Sequence, residues 1–319
     1  MKNVAVYITT TPYDYYLAKA LVQSVRHHCP QVSLYLLPDD SYKGSHLFGC
    51  PVWRPSEVEV RELDGYYKKL RAFWGPAEKF IFLDADILLL KDPAPLLAEV
   101  AGRNEPFLMV CAETKWRQIW SNASEEKKRS HFEQWVGDIR LIGQFDGRYD
   151  WRRELPFNSG FIAAHREVFD RAALMSTFRS ARSFHGGTNP ERGLTTSRKG
   201  LFMTDQGFLN YFVAKAGVEA ERLDDVFLWG GDKELWRQRA SLPGPYAGLL
   251  IHWAGCPRPG LLRRGIPGGA EWKHFYLQYC RSHSDYRGLI RDLCEERVRS
   301  FKDWGSKVKR SILRRASTQ

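Results

Sequence analysis

Three features that define large protein classes are missing from this 319-residue sequence. The six cysteines include no C-x-x-C pair, so we expect neither a zinc knuckle nor a dithiol motif, but reduced thiols that pack as small apolar side chains. No apolar run approaches the length of a membrane span, and the six residues Val4–Thr9 that follow Met1, Lys2 and Asn3 are too few for a signal-peptide core. There is also no internal repeat and no low-complexity block. We therefore expect a globular protein that starts in the cytoplasm.

Acidic residues are scarce at the C-terminal end, and this scarcity accounts for most of the net charge. The chain carries a formal net charge of +11, and the segment from Arg297 onward holds eight basic residues and one acidic residue. The rest of the chain is close to balanced, which argues against a nucleic-acid-binding fold covered in basic patches. We therefore expect no nucleic-acid partner, and RNA binding by the basic end is the weakest alternative.

The basic end also carries an apolar stripe. Apolar residues recur every three or four positions from Ile290 to Ile312, opposite the basic side chains. A basic amphipathic helix with Phe301 and Trp304 on its apolar face suits an anionic membrane surface. Residues 290–315 are therefore expected to associate with the inner face of the cytoplasmic membrane. The alternative is a helix whose stripe packs on the preceding domain.

Strand and helix patterns alternate through the first half of the chain. The expected strands are 4–9, 32–37, 79–83, 107–112, 157–164 and 249–253, and the expected helices are 17–30, 63–73, 95–100, 204–216 and most of the chain from about 272. This order predicts an α/β fold with a mixed, mostly parallel, Rossmann-like sheet and helices on both faces. We expect an α/β domain over 1–270 and a helical basic tail over 271–319.

An aromatic insertion interrupts this pattern. Residues 116–151 are polar and charged but contain four of the eleven tryptophans. Aromatic faces pack on sugar rings, so this segment is a candidate site for a glycan acceptor. The alternative, which is the commoner fate of tryptophan, is the core of a small helical subdomain. Residues 182–199 have few apolar side chains and are expected to form a loop.

A pair of carboxylates follows the most apolar predicted strand. Phe80–Leu83 leads into Asp84, Ala85 and Asp86, and a second apolar run, Ile87–Leu90, comes next. Strand-like alternation would point Asp84 and Asp86 the same way, toward one divalent cation. Two adjacent carboxylates are costly unless a cation or a proton offsets their repulsion. We interpret the pair as a metal site, with an Asx turn before the next helix as the alternative.

His252 is a candidate third ligand for this metal. It ends a predicted strand and precedes Gly255, so it would lie on the rim where ligands bind in an open α/β sheet. A lone histidine on an apolar strand is more often an ordinary core residue. If it does join the two carboxylates, one nitrogen among oxygen ligands suits Mn²⁺ better than Ca²⁺, with Mg²⁺ still usable.

Two further motifs fit a site for a sugar. Asn158 and Ser159 offer an amide and a hydroxyl, and Gly160 permits close approach of a ligand. In the second motif Thr204 can cap a helix that begins with Asp205 and Gln206. A carboxylate at that place is also favoured by the helix dipole alone, which is the structural alternative for Asp205.

Taken together, these motifs resemble the family 8 glycosyltransferases. The resemblance covers about residues 1–260 and follows the order and rough spacing of six motifs, which are Val4–Ser24, Lys69-Leu70, Asp84-Ala85-Asp86, Asn158-Ser159-Gly160, Asp205-Gln206-Gly207 and His252-x-x-Gly255. It implies a GT-A fold, a UDP-sugar donor, Mn²⁺, and transfer with retention of anomeric configuration.

The resemblance also implies roles for individual residues. The loop Thr9–Tyr15 would hold the uracil, with Thr9, Thr10 and Tyr15 as contacts, and Asp84, Ala85, Gly255 and Arg258 would complete the donor site. Asp84, Asp86 and His252 would bind the metal. Asn158, Asp205, Gln206 and Lys69 would lie at the reacting sugar. The family usually has lysine where this sequence has Arg258, and arginine can bind a diphosphate through two nitrogens.

The expected function is therefore a retaining hexosyltransferase that moves a sugar from a UDP-sugar to a glycan or lipid-linked acceptor. Asp205 is the candidate nucleophile if a covalent intermediate forms, and front-face attack is the other route. Two alternatives differ in class. The chain could be an inactive nucleotide-sugar-binding scaffold, or it could be a phosphohydrolase of the haloacid-dehalogenase type that uses the first aspartate of the D-x-D motif as a nucleophile.

Overall fold

A six-stranded sheet lies at the centre of the computed structural model. The structure describes residues 4–112, 114–152, 155–184, 201–202, 204–224 and 226–298. The strands are β1 Val4–Thr10, β2 Ser33–Pro38, β3 His46–Leu47, β4 Cys50–Pro51, β5 Lys79–Leu83, β6 Ile87–Leu89, β7 Leu108–Ala112, β8 Asn158–His165, β9 Ala220–Asp224, β10 Phe227–Trp229 and β11 Leu250–His252.

The helices cover both faces of the sheet. The α-helices are α1 Tyr15–His28, α2 Ala94–Gly102, α3 Thr114–Asn122, α4 Glu125–Trp135, α5 Ile139–Phe145, α6 Arg171–Phe184, α7 Asp205–Lys215, α8 Lys233–Gln238, α9 Gly269–Ser282 and α10 at 286–298. The described residues also form three 3-10 helices, Pro12–Asp14, Glu59–Glu62 and Gly65–Trp74.

The central sheet is mostly parallel, as the sequence predicts. Its strand order is β2-β1-β5-β8-β7-β9, and β8 runs antiparallel to both of its neighbours while the other paired strands are parallel. A smaller sheet, β10-β11-β6, lies at the end of β5, and β3 pairs with β4. Parallel β1 and β5 therefore end at the same edge of the central sheet, where loops can form a ligand site.

Alternation along β1 explains how one strand serves two cores. Val4, Val6 and Ile8 belong to an apolar cluster with residues of α1 and α2 on one face. Ala5 and Tyr7 belong to a second cluster on the other face, which includes residues of the 3-10 helix at 65–74 and of α5 to α7. All seven residues of β1 are buried, which is the pattern of a strand covered on both faces. The predicted fold class is therefore confirmed.

Near the site, the local structure differs from the sequence prediction at one helix and adds one strand for which the sequence analysis made no assignment. The helix expected at 63–73 is a 3-10 helix at Gly65–Trp74. The apolar run after the carboxylate pair is a strand, β6, which pairs antiparallel with β11. Residues 182–184 of the expected loop at 182–199 belong to α6, and 185–199 lie outside the described residues.

The insertion at 116–151 forms three helices, α3 to α5. Trp116 and Trp151 are buried, and the Trp116 ring lies 5.6 Å from the Trp135 ring. Phe132 and Ile142 join the main core on one face of the sheet. The aromatic residues of this segment therefore contribute to packing, whatever further role the segment has.

The C-terminal helices pack against α1. Trp272 of α9 makes an edge contact with Tyr16, and the Lys19 ammonium of α1 lies 3.2 Å from the Asp292 carboxylate of α10. The apolar stripe predicted for membrane association begins at Ile290, and Val298 is its last member among the described residues. The side chains of both are exposed. The part of that stripe from 299 to 315 lies outside the described residues. Within the described ranges, no helix is both long enough and apolar enough to cross a bilayer.

Candidate active site

A cleft of about 460 Å³ opens at the shared edge of β1 and β5. Its walls come from the loop after β1, the start of the 3-10 helix at 65–74, the turn after β5, the N-terminus of α7 and the segment after β11. The lining residues are Thr9, Thr10, Thr11, Tyr13, Asp14, Gly65, Tyr66, Lys68, Lys69, Asp84, Ala85, Asp86, Asp205 and Arg258. Acidic and basic side chains therefore share one cavity of the size that ligand sites have.

Asp84, Asp86 and His252 form the one group of potential metal ligands found among the described residues. One ligand atom from each lies within 4.8 Å of the others. Asp84 and Asp86 belong to a tight turn, in which the Ile87 N–H donates to the Asp84 carbonyl over 3.2 Å. The turn, and not strand alternation, makes the two carboxylates converge. Pairing of β6 with β11 then sets His252 opposite Ile87, beside Asp86.

The charges around the two carboxylates differ. His252 Nε2 lies 3.2 Å from Asp86 Oδ1, and Arg258 Nη2 donates to Asp86 Oδ2 over 3.1 Å. Burial opposes the charge of Asp86, but His252 and Arg258 outweigh it and lower the pKa of Asp86 to about 2. Burial raises the pKa of Asp84 despite the nearby Lys69, and the carboxylates of Asp205 and Asp86 raise it further. Asp86 is thus the firmly charged member of the pair.

Lys69 links Asp84, which follows β5, to Asp205 at the start of α7. Its ammonium lies 3.1 Å from Asp84 Oδ2 and 2.7 Å from Asp205 Oδ2, and it donates to Ser159 Oγ over 3.1 Å. Its side chain is only 5% exposed. Burial lowers the pKa of a lysine, but Asp205 and Asp84 outweigh burial and raise the pKa of Lys69 to about 12. A permanent buried cation therefore bridges two carboxylates that come from separate parts of the chain.

The start of β8 and the start of α7 are held together by side-chain hydrogen bonds. Ser159 Oγ donates to Asp205 Oδ2 over 3.0 Å, and the Ser159 N–H donates to Gln206 Oε1 over 3.3 Å. The Gly160 N–H donates to the side-chain oxygen Oδ1 of Asn158 over 2.8 Å. The Thr204 hydroxyl caps α7, as its sequence pattern predicts. These bonds fix Asp205 beside Lys69 at the wall of the cleft.

Arg258 crosses the mouth of the cleft. Its Nη1 donates to Asp14 Oδ1 over 2.6 Å and its Nη2 to Asp86 Oδ2 over 3.1 Å. The contact with Asp14 was not indicated by the sequence, because nothing local marks an aspartate in a 3-10 turn as a partner for a residue near the end of the domain. Gly255, which begins this segment, has a φ of 65° and does not line the cleft.

The aromatic residues near the first loop have different positions. Thr9 and Thr10 line the cleft, but Tyr15 does not, and its ring packs edge-on against Phe48 at 5.2 Å. Two other tyrosines line the cleft and are strongly exposed, Tyr13 at 85% and Tyr66 at 62%. Their exposure is the signal that was missing from the sequence, which offered several tyrosines without distinguishing them.

Lys68 is a further cleft residue that sequence reasoning missed. Its side chain is buried, and its ammonium donates to the Thr10 carbonyl over 2.6 Å. Burial lowers the pKa of Lys68 to about 8, although Asp39, Asp14 and Asp40 oppose that shift. Lys68 therefore fixes the backbone of the loop after β1 at Thr10, but its ammonium is buried, which disfavours its positive charge.

This burial predicts a pH dependence. The folded-state pKa of Lys68, about 8, lies below the ordinary lysine value of 10.5, so the unfolded chain binds more protons between these values. Stability linked to Lys68 should therefore rise by up to about 3 kcal/mol as the pH increases from about 8 to 10.5. Urea unfolding of the wild type and of Lys68→Met across this range isolates the effect, because other titrating groups are common to both. A difference between the two proteins that stays constant with pH would contradict it.

Gly160 gives a second prediction, because a side chain there would crowd His252. A Cβ at position 160 would lie 2.6 Å from His252 Cε1 and 3.0 Å from Asn158 Oδ1. Gly160→Ala should lower the free energy of unfolding by about 1–3 kcal/mol and, by displacing His252, should weaken the binding of any divalent cation that Asp84, Asp86 and His252 hold. Denaturant unfolding and a metal titration measure both. The matched control is Gly102→Ala, where a Cβ would meet nothing within 4 Å. Equal behaviour of the two variants would contradict the crowding of His252.

Comparisons with solved structures agree on the fold, whereas comparisons of sequence find no match. No protein-family model matches the chain, and no curated protein matches it. The chain is similar in structure to the glycosyltransferase GlyE of Streptococcus pneumoniae TIGR4, with a TM-score of 0.51, 12% identity, and coverage of 86% of this chain and 60% of that one. It is also similar to the galactosyltransferase LgtC, solved in complex with donor and acceptor sugar analogs, with a TM-score of 0.50, 12% identity, and coverage of 86% and 95%.

A third similar structure is the bifunctional glycosyltransferase WbbM, with a TM-score of 0.51, 12% identity, and coverage of 86% of this chain and 49% of that one. The chain thus spans about half to three fifths of the WbbM and GlyE chains but nearly all of LgtC. At this identity the likeness establishes the fold alone, which is the GT-A fold implied by the family 8 resemblance.

Proposed function

We propose that the protein is a glycosyltransferase that uses a nucleotide-sugar donor, with UDP-hexose as donor and retention at the anomeric carbon. The observation that carries the proposal is the continuity of the site. The Asp84, Asp86 and His252 cluster, the buried Lys69 cation and Asp205 adjoin one cleft at the carboxyl ends of β1 and β5. This reaction needs a site that holds a cation for the phosphates and a polar site for the sugar. We assign the first to Asp84, Asp86 and His252 and the second to the surroundings of Asp205, and Lys69 contacts both Asp84 and Asp205.

The donor set of the cluster fits a divalent metal such as Mn²⁺ or Mg²⁺. Asp84, Asp86 and His252 would hold the ion. The absence of a side chain at Gly160 leaves the His252 ring room to lie beside the two carboxylates. When bound, the metal would neutralise charge on the departing diphosphate.

The first loop is proposed to hold the nucleoside. Thr9 and Thr10 line this part of the cleft, and Lys68 fixes the Thr10 carbonyl. An exposed aromatic ring at a cleft gains from stacking on a base. We therefore assign the base to Tyr13 or to Tyr66 across the cleft, in place of Tyr15, whose ring is engaged with Phe48.

Two cations are proposed to meet the diphosphate. Arg258 can exchange its carboxylate partners, Asp14 and Asp86, for phosphate oxygens, since its planar guanidinium binds either group through two nitrogens. Lys69, held in place by Asp84 and Asp205, supplies fixed positive charge where negative charge develops on the leaving group. Neither residue has to move a proton in this role.

Asp205 is proposed to stabilise positive charge on the sugar. Its Oδ2 is engaged by the Lys69 ammonium and by the Ser159 hydroxyl. These two contacts draw negative charge from the whole carboxylate and weaken it as a nucleophile, so we propose front-face attack in place of a covalent intermediate. Asn158 and Gln206 accept hydrogen bonds from the backbone N–H groups of Gly160 and Ser159. They are proposed to fix the start of β8, which packs beside Asp205.

The acceptor is proposed to be a glycan or a lipid-linked saccharide. The insertion at 116–151 reaches the site through Trp135, whose carbonyl accepts a hydrogen bond from Gln206 Nε2 over 3.3 Å. No residue of that insertion lines the cleft described above. An acceptor bound to the insertion would therefore reach the reacting sugar from the side of Gln206. Association of 290–315 with the inner face of the cytoplasmic membrane would bring a lipid-linked acceptor within reach.

Turnover of nucleotide sugars tests the proposal. The protein is incubated with UDP-glucose, UDP-galactose, UDP-N-acetylglucosamine and GDP-mannose, each with Mn²⁺, and release of the nucleoside diphosphate is measured. Slow hydrolysis of one UDP-sugar, lost on adding EDTA, is the expected result. Turnover of p-nitrophenyl phosphate with no turnover of any nucleotide sugar would support the phosphohydrolase alternative. Nucleotide binding without turnover, even with a glycan acceptor mixture present, would support the scaffold alternative.

A further inference from the structure

We propose that Glu296 is a positioning residue for Arg258, because its buried carboxylate fixes the segment 257–262 and so sets where the Arg258 guanidinium lies. The inference rests on the proposed function, in which Arg258 binds the donor diphosphate. Glu296 belongs to the last described helix, α10, which no motif of the sequence connects with the site.

The contacts of Glu296 are those of an anchor for backbone. Glu296 is 8% exposed, and its carboxylate accepts hydrogen bonds from two successive backbone N–H groups, Leu261 over 2.7 Å and Leu262 over 3.2 Å. The chain can come this close because residue 260 is glycine, and a Cβ there would overlap the Glu296 carboxylate. Bonds between a carboxylate and N–H groups are among the stronger hydrogen bonds in proteins.

Apolar packing holds this segment only in part. Leu261 packs against the cluster that contains Trp272 and Tyr276, but a cavity of about 250 Å³ lies beside the segment, and Pro257, Pro259, Leu261, Trp272 and Tyr276 are among its lining residues. The position of the segment therefore depends on polar contacts as well as on packing, and Glu296 makes two of those contacts with its backbone.

Lys273 and Arg263 add two further polar contacts, beside the bonds of Arg258 to Asp14 and Asp86. Lys273 donates to the Leu261 carbonyl over 3.2 Å, and Arg263 donates to the Arg258 carbonyl over 3.1 Å. Both lie on the exposed side of the segment. Exposed bonds compete with water, so the buried Glu296 bonds are the ones expected to determine the position of the segment.

The helix that carries Glu296 is itself fixed to the first helix. Asp292 lies one turn earlier on α10, accepts from the Tyr276 hydroxyl over 2.6 Å and lies 3.2 Å from the Lys19 ammonium. Lys19 is 3% exposed and also pairs with Asp285 at 2.8 Å. Asp14, a carboxylate partner of Arg258, directly precedes α1, the helix to which Lys19 ties α10. The positions of Glu296 and of Asp14 are therefore both set by α1.

A double-mutant cycle tests the inference. UDP affinity with Mn²⁺, and affinity for uridine by ligand-detected NMR, are measured for wild type, Glu296→Ala, Arg258→Ala and the double variant. Arg258→Ala and Glu296→Ala should each weaken UDP binding by about tenfold or more, the scale of a lost charged hydrogen bond, and leave uridine binding unchanged. In the Arg258→Ala background, Glu296→Ala should have no further effect. Glu296→Gln, which keeps one acceptor oxygen, should give an intermediate loss.

The control variant is Glu295→Gln, an exposed carboxylate on the same helix, which should bind UDP as the wild type does. The inference is overturned if Glu296→Ala binds UDP normally, if it weakens uridine and UDP equally, or if its full effect persists without Arg258. If Glu296→Ala does not fold, a wild-type affinity for UDP in Glu296→Gln overturns it. A wild-type UDP affinity in Arg258→Ala would instead refute the proposed role of Arg258, and with it the inference.

Discussion

Replacing Asp86 with asparagine should abolish Mn²⁺-dependent binding of UDP and reduce donor turnover to below about 1% of the wild-type rate, the scale of removing one electrostatic group from an active site. Asparagine has the shape of aspartate but lacks its charge, and Asp86 is the carboxylate whose pKa is held at about 2 by His252 and Arg258. An amide oxygen can ligate a divalent cation, but it is a weaker ligand than a carboxylate because it carries no negative charge. Calorimetric titration with Mn²⁺ and UDP measures the binding loss directly.

Asp92→Asn is a matched control for this substitution. Asp92 is exposed, and its carboxylate accepts from the Ala94 N–H at the start of α2, a role that asparagine fills equally well. It should bind Mn²⁺ and UDP normally. Retention of Mn²⁺-dependent UDP binding by Asp86→Asn, at the level of this control, would refute the assignment of Asp86 as a metal ligand.

Replacing Lys69 with methionine should lower the free energy of unfolding by about 3–5 kcal/mol and also remove donor turnover. The ammonium is the shared partner of Asp84 and Asp205, and Asp205 is only 4% exposed. Methionine fills most of the volume but leaves a buried carboxylate without its cation. Urea unfolding at neutral pH measures the stability loss, and release of UDP from the donor measures the activity.

A compensating variant separates charge from packing. Lys69→Met combined with Asp205→Asn removes both members of the buried pair, so it should regain a large part of the lost stability while remaining inactive. Lys127→Met, at an exposed site, should change stability by less than about 0.5 kcal/mol. A double variant no more stable than Lys69→Met would show that the ion pair does not carry the effect.

Much of the fold could be predicted because its signals are local. The apolar runs at Val4–Thr10 and Lys79–Leu83 are strands, and Thr204 caps the helix that begins at Asp205. The strand at 158–165 was also predicted, but its antiparallel direction was not, because direction depends on the path of the chain through the insertion. The 3-10 form of residues 65–74 likewise has no periodic signal in the sequence.

The site could be predicted as a set of residues but not as an arrangement. Asp84, Asp86 and His252 converge as expected, yet through a tight turn and the pairing of β6 with β11, neither of which the sequence indicated. The bridge from Lys69 to Asp205 joins positions far apart in the chain. Such contacts follow from tertiary packing, which leaves no periodic pattern in one sequence. The same holds for the contact of Arg258 with Asp14.

Thermal unfolding with UDP, GDP, CDP and ADP, each with and without Mn²⁺, tests the central claim most directly. Ligand present at about 100 times its dissociation constant adds about 2.7 kcal/mol of stability, which is a readily measured shift in Tm. The account predicts a shift with UDP that requires Mn²⁺ and disappears in Asp86→Asn. A UDP shift that is unaffected by Mn²⁺ and by EDTA, or no shift with any nucleotide, would contradict the assignment of the cleft as a metal-dependent nucleotide-sugar site.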